Sequence, residues 1–270
     1  MGPLLELKQI TKQYPTSFPL RGKGKGVEAL RDVSLSIKEG EIIGLVGQSG
    51  SGKSTLGEII LQLEKPTEGH VMFAGKNLST VSKKARKQMR RDIQMVFQDP
   101  YETMHPSFTV FDTIAEPLRI HGWRQKEQIR KKVYETLAQV ELSPVEDYIN
   151  RFPHELSGGQ LQRIAIARAI VLNPRFLVAD EPVSMLDVSI RAGILHLLKQ
   201  LNDTFKLTML YISHDLSTVS YLCDRLAVLY KGEIVEIGPT KKVLESPQHP
   251  YTQALLTAIP MFPHNRSVIV

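Results

Sequence analysis

The sequence predicts an α/β fold in which an open sheet carries a phosphate-binding loop at the carboxyl ends of its strands. Three observations predict it. Gly47, Gln48, Ser49, Gly50, Ser51, Gly52, Lys53, Ser54 and Thr55 satisfy G-x-x-x-x-G-K-[ST] between an apolar run, Ile42–Val46, and a helix-like run, 55–63. A short apolar strand at 176–179 ends in Asp180 and Glu181, at the edge where open α/β sheets gather ligand-binding groups. Between 101 and 142 the periodicity turns from alternating to helical, which marks a helical insertion.

Taken in order, residues 4–10 and 33–37 alternate as strands, with an exposed Gly/Lys-rich loop at 21–26 between them. Tyr14, followed by Pro15, is expected outside the first strand, where its ring could stack on an adenine face; Phe18 could serve instead. In the phosphate loop, glycines let successive N–H groups turn toward one centre, and the following helix aims its positive end at the same point. Lys53 adds a full charge at the β- and γ-phosphates, and the Ser54 hydroxyl is placed to ligate Mg²⁺. Residues 69–74 read as a further strand closing in a turn at Gly75, Lys76 and Asn77.

The strand at 93–97 ends at Gln98, whose amide oxygen can bind Mg²⁺ or its attacking water. Pro106, Pro117 and Gly122 are expected to break the helical segment that follows. Ser157, Gly158 and Gly159 open a helix at 161–171, forming an N-cap with free backbone donors and a second place where an anion is welcome. Asp180 is placed to hold Mg²⁺ through a water, and Glu181, on the other face, to polarise a water in line with the γ-phosphate. The strand at 208–213 ends at His214, which could hydrogen-bond a γ-phosphate oxygen. Residues 226–230 and 233–237, joined by Lys231 and Gly232, read as a closing hairpin, and from Thr240 the chain is proline-rich and peripheral.

Composition excludes several classes. At 270 residues the chain can bury a large core, and no apolar run approaches the roughly 18 residues that span a bilayer. The first residues lack the layout of a signal peptide, so a cytosolic protein is expected. The single cysteine, Cys223, permits no internal disulfide and no all-cysteine metal site, and reads as a packed thiol in a reducing compartment. A net charge of +6 is modest, and the basic run at 83–91 has no interleaved aromatics, so it reads as a solvated face rather than a nucleic-acid surface.

In this order the motifs resemble the ATP-binding subunit of an ABC transporter, over nearly the whole chain. The phosphate loop resembles Walker A, Gln98 the Q-loop glutamine, and Leu156-Ser157-Gly158-Gly159-Gln160 the family signature. Residues 176–180 resemble Walker B, Glu181 its catalytic glutamate, Ser184-Met185-Leu186-Asp187 the D-loop, and His214 the switch histidine. The resemblance implies a P-loop NTPase (RecA-like) core with an antiparallel β subdomain and an α-helical subdomain inserted at about 99–172, all within an ABC ATPase domain at 1–240, and a short tail at 241–270.

It further implies ATP and Mg²⁺ as cofactors and two cassettes packed head to tail. ATP on one phosphate loop is then closed over by the partner's Ser157, Gly158, Gly159 and Gln160, with Asp187 at the seam. The partner cassette is a paralogue or a second copy. Motion passes from Gln98 into 101–122, which receives a coupling helix from one of two transmembrane permease subunits. The implied place is peripheral, on the cytoplasmic face of the cell membrane, with an extracellular substrate-binding protein engaged indirectly and no nucleic acid.

A narrower likeness rests on Ser246-Pro247-Gln248-His249-Pro250-Tyr251-Thr252-Gln253-Ala254-Leu255-Leu256, together with residues 93–100. These resemble the second ATPase of importers for di- and oligopeptides or nickel. Two departures stand out. The cysteine-bearing tail of many relatives is missing, so no iron–sulfur cluster is expected, and Met185 replaces the alanine usual in the D-loop. The rival readings are a soluble ABC ATPase acting on nucleic acid or ribosomes and the motor of an exporter. The first usually needs two cassettes in one chain or a long coiled coil, and the second lacks this type of C-terminal segment.

Overall fold

The structure, a computed structural model, describes residues 2–15 and 26–257; Phe18, the loop at 21–25 and residues 258–270 lie outside the described residues. In chain order its strands are β1 (Leu5–Tyr14), β2 (Val27–Ile37), β3 (Ile42–Val46), β4 (Glu68–Phe73), β5 (Lys76–Asn77), β6 (Ile93–Val96), β7 (Phe176–Asp180), β8 (Thr208–Ile212), β9 (Arg225–Tyr230) and β10 (Glu233–Pro239). Its helices are α1 (Lys53–Ile60), α2 (Lys83–Asp92), α3 (Val110–Ile120), α4 (Lys126–Gln139), α5 (Gly158–Ile170), α6 (Val188–Phe205), α7 (Leu216–Leu222), α8 (Thr240–Glu245) and α9 (Pro250–Thr257).

The short apolar runs become strands buried on both faces, because parallel strands need helices or a second sheet over each side. Every residue of β3, β7 and β8 is buried. They lie in a six-stranded sheet of order β10-β9-β3-β8-β7-β6, parallel apart from β10. Successive side chains point to opposite faces. Ile42 and Val46 therefore join the core beneath α3 to α7, while Ile43 and Leu45 join a second core shared with α1 and a four-stranded antiparallel sheet, β2-β1-β4-β5. Cys223 is buried in the first core, and burial pushes its thiol up, which keeps it protonated and unreactive.

The structure corrects several expectations. Tyr14 is the last residue of β1, paired with Val27 of β2, and does not lie outside the strand. A proline restricts the residue before it to extended conformations, which suits a strand end. Pro117 does not break its helix. It sits inside α3, where the burial of Val110, Ile114 and Leu118 outweighs one lost backbone donor, and His121 N–H closes the end on the Pro117 carbonyl. The turn after β4 falls on Ala74 and Gly75, both with positive φ, so that Lys76 and Asn77 pair back on the strand as β5. The basic run folds as α2, capped by the Ser82 hydroxyl, which accepts from Ala85 N–H.

The largest correction concerns residues 240–257, which are not peripheral. Val243 and Thr252 are buried, and Leu244, Tyr251, Leu255 and Leu256 pack against the first core. Glu236 of β10 organises the turn into α9: its two carboxylate oxygens accept from Gln248 N–H at 2.8 Å and His249 N–H at 3.0 Å. Burial pushes this carboxyl up, but the nearby Thr252 hydroxyl and the two amide donors outweigh it and the net shift is down. Its stabilising contribution is therefore present above the ordinary glutamate range and is lost as pH falls through the lowered value. We expect the hydrogen-exchange protection factors of α9 to fall as pH drops below the ordinary glutamate range, and to be reduced at neutral pH in Glu236→Gln.

Candidate functional site

The parallel strands deliver their functional groups to one edge because each loop leaves from a carboxyl end. The phosphate loop follows β3, His214 follows β8, Asp180 and Glu181 end or follow β7, and Gln98 follows β6. These four strands are consecutive in the sheet, β3-β8-β7-β6, so their loops line one continuous edge.

The loop is shaped as an anion cradle. Gly52 has φ +105°, and a Cβ there would lie 2.5 Å from the Ala29 carbonyl oxygen, so only glycine fits. Among the described residues nothing accepts from the backbone N–H of Ser49, Gly50, Gly52, Lys53, Ser54 or Thr55, and these donors stand at the N-terminus of α1. Lys53 is buried, its ammonium donating to the carbonyls of Gly47 at 2.8 Å and Gln48 at 3.0 Å. Burial lowers its pKa, and Glu181 and Asp180 pull it back up.

Asp180 is also buried. Burial raises its pKa, the Ser54 hydroxyl lowers it, Glu181 raises it and Lys53 lowers it. Ser54, Asp180 and the amide oxygen of Gln98 form a set of hard oxygen donors around a carboxylate that burial disfavours in its charged form. That set fits Mg²⁺, which binds through one or two carboxylates and completes its shell with water and substrate phosphates. No cluster of three His, Cys, Asp or Glu side chains able to hold a metal alone occurs among the described residues.

Glu181 is held from both sides: Gln98 Nε2 donates to Oε2 at 3.3 Å, and His214 Nδ1 lies 3.1 Å from Oε1. Its backbone has φ 45°, a left-handed conformation costly for a non-glycine residue. The neighbours impose it. Glu181 N–H donates to the Ile212 carbonyl at 2.9 Å, and the Glu181 carbonyl accepts from the N–H and hydroxyl of Ser184. Tyr14 is half-buried at the end of β1, with Lys12 Nζ 4.8 Å from its ring centroid and salt-bridged to Glu64 at 2.7 Å, and no hydrogen bond joins it to the phosphate loop among the described residues.

The signature residues stand apart from this cluster. Ser157 caps α5 and forms a capping box with Gln160: the Ser157 hydroxyl accepts from Gln160 N–H, and Gln160 Oε1 accepts from Ser157 N–H. Ser157 and Gly158 are exposed, and no hydrogen bond joins Ser157 or Gln160 to the phosphate loop among the described residues. Gly159 is wedged against α6, where a Cβ would lie 2.5 Å from Ile190 Cγ2. Gly159→Ala is expected to destabilise the chain by about 1–3 kcal/mol through overpacking, with Ile190→Ala restoring part of the loss in a double-mutant denaturation cycle.

Asp187 sits exposed at the start of α6 without capping it, flanked by Met185 and Val188, which are 63% and 80% exposed. Two contributors escaped the sequence reading. Arg191 ties the D-loop to the switch, donating to the Leu186 carbonyl and to Asp215 beside His214, each at 3.3 Å. The Tyr251 hydroxyl accepts from Gln48 N–H at 3.0 Å. Neither carries a local sequence signal, since each acts on a segment distant in the chain. A cleft of ≈ 290 Å³ opens between α2, β6, α3 and α5, lined by Met89, Phe97, Thr103, Ile120, Arg168 and Leu172 among others. Across it Arg168 donates to the Thr103 carbonyl at 3.1 Å and to Glu116 at 2.9 Å.

Fold and site together define an ATPase of the phosphate-loop class. Residues 30–184 match the ABC transporter family and residues 235–269 the oligopeptide/dipeptide transporter C-terminal region. The chain is 46% identical over 260 residues to the oligopeptide transport ATP-binding protein AppF of Bacillus subtilis, covering 96% of this chain and 78% of AppF. It is 46% identical over 262 residues to OppF of the same organism, described in the same terms, covering 96% and 83%. Among solved structures, the dimeric post-hydrolysis state of the ATP-binding cassette MJ0796 bound to ADP and Pi superposes with a TM-score of 0.76 at 36% identity, covering 87% of this chain and 98% of that one. The chain belongs to the ABC transporter family. It is an ATP-binding subunit that hydrolyses ATP and takes it with Mg²⁺.

Proposed function

We propose that this subunit powers the import of di- or oligopeptides as one of two cassettes that close on ATP beneath a pair of permeases. The match of residues 235–269 to the oligopeptide/dipeptide transporter region carries the cargo reading, because that segment lies outside the part common to ABC cassettes. The cleft between α2, β6, α3 and α5 supports docking of a permease element beside Gln98. No helix among the described residues is long and apolar enough to cross a membrane; in this reading the spanning elements are the permeases' and the subunit works at the membrane's inner face.

In the hydrolytic step, Lys53 and the free loop amides neutralise charge that spreads over the γ-phosphoryl oxygens. Ser54, Asp180 and Gln98 would hold Mg²⁺, which when bound would supply Lewis-acid neutralisation of the phosphate oxygens. Glu181 releases its contacts to Gln98 and His214 and takes a proton from the attacking water, whose oxygen bonds to the γ-phosphorus as the bond to the β–γ bridging oxygen breaks and ADP leaves. His214 then donates toward the γ-phosphate. Ser157, Gly158 and Gly159 of the second cassette complete the cradle, so hydrolysis removes the bond between the two chains. Tyr14 packs against the adenine.

Affinity purification of the tagged chain from membranes is the test, together with uptake of labelled peptides and of Ni²⁺ after deletion. Co-purification of hydrophobic permeases with a second cassette and loss of peptide uptake alone are expected. Loss of Ni²⁺ uptake alone, or capture of ribosomes or nucleic acid, would overturn the reading.

A further inference from the structure

The segment after β10 reaches back into the phosphate loop. Tyr251, the second residue of α9, places its hydroxyl where it accepts from Gln48 N–H at 3.0 Å. The same peptide unit presents the Gly47 carbonyl on its opposite side, and that carbonyl accepts from Lys53 Nζ at 2.8 Å. One peptide plane is therefore polarised between Tyr251 and Lys53, and hydrogen bonds in such a chain strengthen one another.

The position of Tyr251 is built rather than incidental. Its ring stacks on Tyr230 with centroids 4.0 Å apart and planes 24° from parallel, and Tyr230 ends the strand beside β3. Tyr251 N–H donates to His249 Nδ1 at 3.1 Å, and His249 N–H is held by Glu236. Just beyond Tyr230, Gly232 N–H donates to the Ser51 carbonyl at 3.1 Å, so the β9–β10 turn supports the loop at a second point.

We propose that Tyr251 is a positioning residue for ATP binding: its hydroxyl fixes the Gly47–Gln48 peptide and through it the resting place of the Lys53 ammonium. The C-terminal segment thereby becomes part of the nucleotide site without touching nucleotide. This rests on the assignment of Lys53 and the phosphate loop as the ATP site. A loop held in one arrangement loses less freedom when ATP arrives, so the effect falls on affinity.

The test uses the full chain. Tyr251→Phe removes the hydroxyl and keeps the stacked ring. Titration with a fluorescent ATP analogue and Mg²⁺ is expected to give a Kd about three- to tenfold weaker, the range of one hydrogen bond, with KM for ATP raised alike and kcat moved less than about twofold. Tyr230→Leu, which removes the stacking partner, is expected to weaken ATP in the same direction. In the wild-type chain the Gln48 amide is expected to exchange slowly with solvent, and in Tyr251→Phe quickly, a readout independent of activity. Lys53→Ala serves as the reference. Weakened binding in Lys53→Ala with none in Tyr251→Phe overturns the positioning role alone. Unchanged affinity in both overturns the site assignment and this inference with it.

Discussion

Glu181→Gln is expected to lower ATP turnover by at least about a hundredfold while ATP still binds and still drives two cassettes together, because a positioned general base contributes about 10²–10⁴ in rate. Gln has the shape of Glu and can keep partners at the Gln98 and His214 positions, 3.3 Å and 3.1 Å away. It also tolerates the left-handed backbone no worse than Glu does, so the pinned turn after β7 survives. What disappears is a negative charge that raises the pKa of Asp180 and faces the nucleotide's own charge. Removing it favours ATP binding as it removes the base. Phosphate release and light scattering on the same sample separate the two effects, and near-normal turnover would remove Glu181 from its role.

Lys53→Ala is expected to fail earlier, at binding, with MgATP affinity about ten- to a hundredfold weaker, the range for hydrogen bonds to a charged group. The ammonium is buried beside Asp180 and Glu181 and has no exposed substitute among the loop's own side chains. Its loss also removes a neighbour that lowers the pKa of Asp180. Asp180 then holds its proton to higher pH, so residual Mg²⁺-dependent binding is expected to fade at a higher pH than in the wild type. Calorimetric titration of ATP at several pH values measures both, and wild-type affinity would count against the assignment.

What the sequence made legible was governed by local pattern. Runs such as Ile42–Val46 and Phe176–Asp180 are apolar throughout because both faces of the sheet are covered, and the groups at their carboxyl ends follow from chain direction alone. The phosphate loop and the Ser157 cap are likewise contiguous devices whose spacing is their chemistry.

Contacts between distant segments were not legible. Tyr251 and Gln48 are 203 residues apart, and the proline-rich stretch around Pro250 reads as irregular until Pro250 is seen at the first position of α9, where a missing N–H costs nothing. Pro117 misled in the same way, since α3 tolerates it through burial of its other face. Pro15 reads as a break that puts Tyr14 off its strand, yet pairing to Val27 carries β1 up to it. Arg191 gave no signal because its partners, Leu186 and Asp215, are joined only by the fold.

The central claim is that ATP on the Lys53 loop of one cassette is closed over by the signature helix of another. A photoreactive group on the terminal phosphate of ATP tests it most directly, in an assembled pair whose second cassette has its phosphate-loop lysine replaced by alanine. After irradiation with Mg²⁺ present, the expected label is on the second cassette, in the peptide that carries its counterpart of Ser157. Label confined to the cassette that binds the probe would contradict the account.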